Sequence, residues 1–358
     1  MAIQGAFTLN PNEIFASLAN MIISQEVFAD NLGKHQTLVD KARVDGGLYG
    51  DKKLYYATDV LESHAWGADA EAANLLALDR PQDPEVQEIT LNVFRQIRLT
   101  VDNYLTKRAW STEGAFSSFN SVMLGWMRET KRVYDGTLYN VFIGTNESSI
   151  GAQKQTVASK SAATPELEAK VIAEKLANIL VDMGDYSRDF NDYHFLRSYS
   201  EDAIKVIWNS KFVNKIRKVD LPAIFHKEGL VDKFDEEVLP SRYFGVKNAS
   251  KVTASQNTGS YRSVIEKTYM KSSTEYHVFP GDLIPAGVEI AVGEGYTVDE
   301  DIICKIVVKL PPFMSAFEVG TSFFNPRSLT ENHYLTFGHN TLAALKNYPF
   351  VTLRASAE

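Results

Sequence analysis

The sequence predicts an α+β protein laid out around one long helix and one long strand that follow each other closely in the chain. Three observations carry this prediction. Over residues 112–144, TEGAFSSFNSVMLGWMRETKRVYDGTLYNVFIG, apolar side chains recur at helical spacing: Phe116, Phe119, Met123, Trp126 with Met127, Tyr134, Leu138, and Val141 with Phe142. Over residues 87–101, Ile89, Leu91, Val93, Ile97, Leu99 and Val101 alternate with Glu88, Thr90, Asn92, Gln96, Arg98 and Thr100. From residue 252 to 310 the chain is rich in β-forming residues, with turns signalled at Phe279-Pro280-Gly281-Asp282, Pro285-Ala286-Gly287 and Gly293-Glu294-Gly295.

Composition bounds the function. The chain has 358 residues, 44% of them apolar and 23% charged, enough to bury a substantial core in one large domain or two ordinary ones. A net charge of −8 argues against tightly held nucleic acid, whose phosphates need clustered Lys and Arg. An acidic wall around nucleic acid is still allowed. Cys304 is the single cysteine, so no intrachain disulfide or Cys-rich zinc site can form. No apolar run is long enough to span a membrane, and the start MAIQGAFTLNPNEIF has no signal-peptide pattern. The expected compartment is a reducing cytoplasm.

In chain order, residues 1–35 read as an arm: Asn10 caps a short helix with Pro11 at its first position, and Ile14, Leu18, Met21 and Ile22 form one apolar stripe. Gly46, Gly47 and Gly50 flank a strand signal at Lys53-Leu54-Tyr55-Tyr56-Ala57-Thr58. A polar connection ending in Asp79-Arg80-Pro81 leads to the strand at 87–101, about 50 Å long at roughly 3.3 Å per residue, with Phe94 and Arg95 as the two breaks in its alternation. One face of it wants burial, and an isolated two-stranded ribbon of that length is not stable, so it should lie on another surface.

The helix at 112–144 would be about 48 Å long, capped by Ser111 or Thr112 and ended by Gly144, with Ser117, Asn120, Arg128, Lys131 and Asp135 on its polar face. Residues 145–164 are small and polar and read as a loop or exposed hairpin. A second helix opens at Thr164-Pro165-Glu166, with the stripe Leu167, Val171, Leu176, Ile179, Leu180 and Met183, and ends near Gly184. Ile204 to Trp208 reads as a strand followed by a short basic helix at 211–218. A strand or loop follows at 238–244, Ile302 to Val308 is the most buried-looking strand, and the tail closes in Tyr348-Pro349-Phe350-Val351-Thr352-Leu353.

This order of elements, and the stretch SYSEDAIKVIWNSKFVNKI at 198–216 followed by LPAIF at 221–225, resembles the major capsid protein of tailed double-stranded DNA bacteriophages. That family has the Hong Kong 97-type (Johnson) fold, and the stretch is similar to the axial-domain segment of its short-tailed phage members. The resemblance implies an N-terminal arm at 1–35 and an extended loop, a long β-hairpin, at 36–106. It implies a peripheral domain at 107–185 with spine helix 112–144, and an axial domain at 186–335 with an inserted hairpin region at 246–300. A C-terminal strand within 336–358 returns to the peripheral domain. It further implies a non-enzymatic structural protein of the virion, assembled in the host bacterial cytoplasm into hexamers and pentamers of an icosahedral head around packaged DNA. The partners would be copies of the chain, a separate scaffolding protein and a portal, with no membrane, cofactor or metal. The candidate inter-subunit contacts are Tyr55, Tyr56, Ile89, Leu91, Val93, Ile97 and Leu99, and the spine-helix core is Phe116, Phe119, Met123, Trp126, Tyr134 and Leu138.

Other candidate chemistry is weaker. Lys52 or Lys53 could form a cross-link with Asn332 or Asn347, which needs a desolvated lysine and a nearby acid; solvated lysines are the alternative. Asp182, Asp185, Asp189, Asp192 and His194 form an acidic cluster without the spacing of a calcium loop. His333 and His339 match no zinc motif, and Gly293-Glu294-Gly295 has no strand-to-helix crossing around it. Lys205, Lys211, Lys215, Arg217 and Lys218 make a local basic face that could meet an acidic neighbour or only water. Two other readings stay open: a cytoplasmic α+β enzyme with a dimerisation arm, which predicts a convergent catalytic constellation, and another virion component.

Overall fold

The computed structural model describes residues 37–46, 52–63, 80–102, 113–216 and 235–357. The expected arm at 1–35, the caps at Ser111 and Thr112, Arg217, Lys218 and the segment 221–225 lie outside the described residues. The described residues fall into two compact units. The first is drawn from Met1–Asp51, Leu91–Tyr139 and Phe313–Thr341, the second from Lys52–Thr90, Asn140–Pro312 and Leu342–Glu358.

In the first unit, helix α1 (Thr37–Ala42) leads into strand β1 (Arg43–Asp45), which pairs in parallel with the start of β13 (Phe313–Asn325). β13 pairs antiparallel with β14 (Thr330–Asn340), and β14 pairs antiparallel with Leu91–Asp102 of β3 (Glu85–Asp102). The period-2 alternation read from the sequence is present: odd-numbered residues of β3 from 87 to 101 are half-buried or buried and even-numbered ones from 92 to 100 are exposed. Both breaks in the pattern have a physical reason. Arg95 sits on the inner face because its guanidinium lies 4.9 Å above the Tyr134 ring. Phe94 turns outward, 60% exposed, opposite Gly338, where a Cβ would come within 3.2 Å of the Phe94 ring.

The expected long two-stranded ribbon needs correction here. In the second unit, the adjacent strand β2 (Lys52–Ala57) pairs only with Glu85–Thr90 of β3, from Lys52↔Thr90 to Ala57↔Glu85. The longer part of β3 takes its partner from the far end of the chain, because β14 supplies the hydrogen bonds and matching inner face that β2 is too short to offer.

Helix α2 (Glu113–Thr145) realises the long helix, one residue past Gly144. Gly144 therefore does not end it; a Cβ there would lie 2.1 Å from the Tyr243 carbonyl oxygen, so close backbone approach requires the glycine. Its buried face in the first unit is Met127, Lys131, Tyr134, Asp135 and Tyr139, with Leu138 half-buried. Trp126, expected in the core, is 49% exposed, and Lys131 and Asp135, expected on the polar face, are buried. The covered face is therefore shifted at these three positions, and Lys131 and Asp135 can be buried there because they pair with each other one turn apart.

The core of the second unit is a five-stranded sheet in the order β4 (Lys154–Val157), β15 (Phe350–Ala355), β12 (Ile302–Val307), β5 (Lys205–Asn209), β6 (Asp235–Leu239). Helix α3 (Pro165–Gly184) begins where expected: Thr164 Oγ1 accepts a hydrogen bond from the Leu167 amide at 3.3 Å and Pro165 opens the helix. Its Ile172, Leu176, Ile179 and Met183 join one buried cluster with Ile204, Val206, Ile303 and Leu353. The short helix α4 runs Ser210–Ile216, one residue earlier than expected at its start, since Asn209 Oδ1 accepts from the Lys211 amide and caps it.

Between β6 and β12 lies a β-rich region with its own small core of Val252, Tyr269, Val278, Ile284, Val288 and Ile290. It contains the sheet β7 (Gly245–Lys247), β11 (Gly295–Val298), β8 (Arg262–Ser263) and the hairpin β9 (Lys267–Lys271) and β10 (Thr274–Val278).

Candidate assembly surfaces

The expected contact residues divide into three groups. On the β2–β3 hairpin, Tyr56 is 64% exposed and faces Val86 across the strands, while Tyr55 is half-buried with Lys309 Nζ 5.4 Å from its ring centre. Ile89 is 5% exposed and covered by its own chain. Leu91, Val93, Ile97 and Leu99 are half-buried on the face that Arg95 shares, the side of Tyr134. On the spine helix, Tyr134 is buried, Leu138 half-buried and Trp126 outward, and Phe116, Phe119 and Met123 lie in the helix with side chains outside the described residues.

The sequence reading missed the opposite face of the first unit's sheet. The β3–β14–β13 register places Phe94, Val319 and Phe323 on one outward face, at 60%, 42% and 62% exposure. Phe94 was visible as a break in alternation; Val319 and Phe323 fall in a stretch, EVGTSFFN, with no clean period.

Behind the sheet sits a buried polar cluster. Lys131 Nζ lies 3.1 Å from Asp135 Oδ2 and 3.6 Å from Glu318 Oε2, and Arg43 reaches the same Asp135 oxygen at 3.5 Å. Burial pushes the Asp135 carboxyl up, against the opposing pull of Lys131 and Arg43. His339 Nδ1 is 2.9 Å from the Asn340 carbonyl, which can only accept, so that nitrogen carries the proton and Nε2 accepts from the Tyr134 hydroxyl at 2.8 Å. Burial, with Arg95 and Lys131 nearby, depresses the His339 pKa against the opposing backbone hydrogen bond, and the ring is neutral.

Two further polar groups organise the second unit. Lys305 is fully buried; its Nζ donates to the Asn146 carbonyl just past the end of α2 at 2.8 Å and to Thr352 Oγ1 at 2.9 Å. A cation at a helix C-terminus is favourable, but desolvation brings its pKa down to about 7. Asp59 fastens the chain just past the end of β2. Its carboxylate accepts from Arg188 Nη1 at 2.6 Å and from the Leu196 and Val60 amides at 2.9 Å, and chiefly the Arg188 bond lowers its pKa to about 2.

Among the described residues the other candidates do not come together in a reactive site. Lys52 pairs with Glu88 with its side chain 61% exposed, far from the desolvation a cross-link needs. Asn332 Oδ1 accepts from Thr100, and Asn347 Oδ1 from Arg197. Among the described residues the acidic side chains near Asp189 form no metal-holding group. Lys205 and Lys211 pair with Asp235 and Glu300. A cavity of about 440 Å³ lies beside Met127, Arg128, Glu318, His333 and Leu335. Its imidazole, His333, is 3.9 Å from Glu331 Oε1, too far for the oriented hydrogen bond of a catalytic base. No helix among the described residues is long and apolar enough to cross a membrane.

No protein-family model and no curated protein matches the chain. Its structure is similar to the capsid structure of Staphylococcus phage Andhra, at 12% identity and TM-score 0.58 over 88% of this chain and 83% of that one. It is similar also to a structure of the head fibre and inner core protein gp22 of native bacteriophage P68, at 10% identity and TM-score 0.57 over 87% and 83%. The likeness establishes the fold: a mixed α+β chain of the Hong Kong 97 type, as found in phage capsids.

Proposed function

We propose that this chain is the major shell subunit of a tailed phage head, a structural protein without enzymatic activity. The observation that carries the reading is a capsid-type fold spanning 88% of the chain. The cluster of exposed apolar side chains on its extended elements supports it, since surfaces of that kind mark contacts with other proteins. In this reading copies of the chain form hexamers and pentamers of an icosahedral shell enclosing double-stranded DNA, with a scaffolding protein and a portal. The shell assembles in the host bacterial cytoplasm and becomes part of the virion. Residues 1–35 act as the arm, 36–106 as the extended loop, 107–185 and the C-terminal strand as the peripheral domain, and 186–335 as the axial domain. Hairpin residue Tyr56, with Tyr55 beside it, lies at a subunit contact, and the β3 side chains Leu91, Val93, Ile97 and Leu99 form the inner face of the strand whose outer face carries Phe94. The net charge of −8 suits a container that holds DNA without adhering to it.

Negative-stain electron microscopy and sedimentation of the expressed protein, alone and with its scaffolding protein, test the reading. Shells, tubes or capsomer rings are expected. A homogeneous monomer or dimer that never assembles with the scaffold supplied would overturn it.

A further inference from the structure

The first unit's sheet has an edge that its own chain leaves open. β13 is paired along one side with β14, from Ser315↔His339 to Asn325↔Thr330. On its other side β1 covers only Phe313, Met314 and Ser315, and the Gly46 amide extends that contact to the Ser315 carbonyl. Beyond the bulge between Ala316 and Glu318, the eight residues Glu318 to Asn325 have no strand on that side among the described residues. Protein edges are normally guarded by lysine, proline or inward charges. The bulge and the inward charge of Glu318, 3.6 Å from Lys131, guard only the start of this edge; Val319 to Asn325 carry no lysine, proline or charge.

We propose that the open edge of β13 docks onto the same edge of a second copy of this chain, antiparallel across a two-fold axis centred on Thr321. That register is selected by the side chains. It sets Val319 opposite Phe323 of the other copy, twice, and Thr321 opposite itself. Val319 and Phe323 are 42% and 62% exposed on one face, so the pairing covers both with an aliphatic–aromatic cross-strand contact. The remaining pairs set Gly320 against Ser322 and Glu318 against Phe324. No atom lies within 4 Å of a Cβ built on Gly320, so its own fold does not demand the glycine and space is left beside the partner strand. A two-fold contact is isologous and self-limiting, which turns an aggregation hazard into a defined pair. The contact is one strand wide and weak between free subunits; any closed assembly of many copies multiplies it. It does not depend on the shell reading.

Disulfide trapping reads even a weak pair. Directly opposed antiparallel residues have Cβ atoms about 4.5–5.5 Å apart, near enough for a disulfide with small adjustment, and the native Cys304 is buried. Under mild oxidation Thr321→Cys should give a reducible dimer, severalfold more than the exposed hairpin-turn variant Ser273→Cys. Adding Phe323→Lys to Thr321→Cys should remove the dimer while circular dichroism stays unchanged. Equal trapping at residues 273 and 321, no trapping at 321, or trapping indifferent to Phe323→Lys would each overturn the inference. Particles from the wild type without Thr321 trapping would leave the shell reading standing alone; trapping without particles would leave the edge pairing alone.

Discussion

At Gly144 two effects of opposite sign meet, and their sizes decide the outcome. An alanine in a helix gains at most about 1 kcal/mol over glycine, and less at Gly144, next to the last residue of α2, whereas a Cβ there would sit 2.1 Å from the Tyr243 carbonyl oxygen. Overpacking of that kind costs about 1–3 kcal/mol or more, so Gly144→Ala should lower the urea midpoint; a rise would mean that the helix end can slide away from Tyr243. Lys305 supports a prediction in pH. Its folded pKa of about 7 lies below the ordinary 10.5, so between those values the unfolded chain binds the extra proton and stability climbs with pH. The slope can reach about 1.4 kcal/mol per pH unit. Denaturation of wild type and Lys305→Met at neutral and at alkaline pH should show that rise in the wild type and its loss in the variant. Asp59 works at the other end of the scale: its folded pKa of about 2 lies below the ordinary 3.8, so its contribution is complete above the ordinary value and disappears as the pH falls towards 2. Lys305 was legible only as a member of the buried-looking strand 302–308, not as a charge to be enclosed, and nothing local marked Asp59, whose partners Arg188 and Leu196 lie more than a hundred residues on.

The long helix and the long strand were legible as elements, but the strand's pairing partner was misread. Alternation over residues 87–101 survives in β3 because one face of the strand is covered and the other is wet, which any single sequence displays. Its pairing with β14, more than two hundred residues on, left no local trace, whereas nearby β2 invited a hairpin reading. In α2 the apolar spacing located the helix but set its covered face wrongly at Trp126, Lys131 and Asp135. The buried pair there is testable by a double-mutant cycle. Removing one member strands a buried charge and costs about 3–5 kcal/mol, while replacing both by apolar residues of similar size is often close to neutral. Lys131→Met alone should therefore destabilise strongly, and Lys131→Met with Asp135→Leu should recover most of the loss. Arg43 and Glu318 have side chains 32% and 42% exposed and can turn to water when their partners go. No recovery in the double variant would show that the cluster acts through Arg43 and Glu318 instead.

At the scale of the whole chain, the capsid reading followed from the order of the elements, and the fold agrees with that order although no local motif is strict. Which surface joins copies is a separate matter, and here the two faces of β3 make opposite predictions. Ile97 and Leu99 are half-buried on the side of Tyr134, so Ile97→Asp with Leu99→Asp places two carboxylates against the subunit's own packing and should lower its denaturation midpoint. Phe94 is 60% exposed on the outward face, where a polar substitution usually changes stability by no more than about 0.5 kcal/mol. If the outward face joins copies, Phe94→Asp should leave the midpoint unchanged and still abolish particles, because a charge buried at a repeated contact is unpaired at every copy. Unfolding and particle counts measured on the same preparations separate the two cases. Particles formed normally by Phe94→Asp would exclude its outward position from the contact and return the extended hairpin, with Tyr56 and Val86, to first place as the surface that holds one subunit to the next.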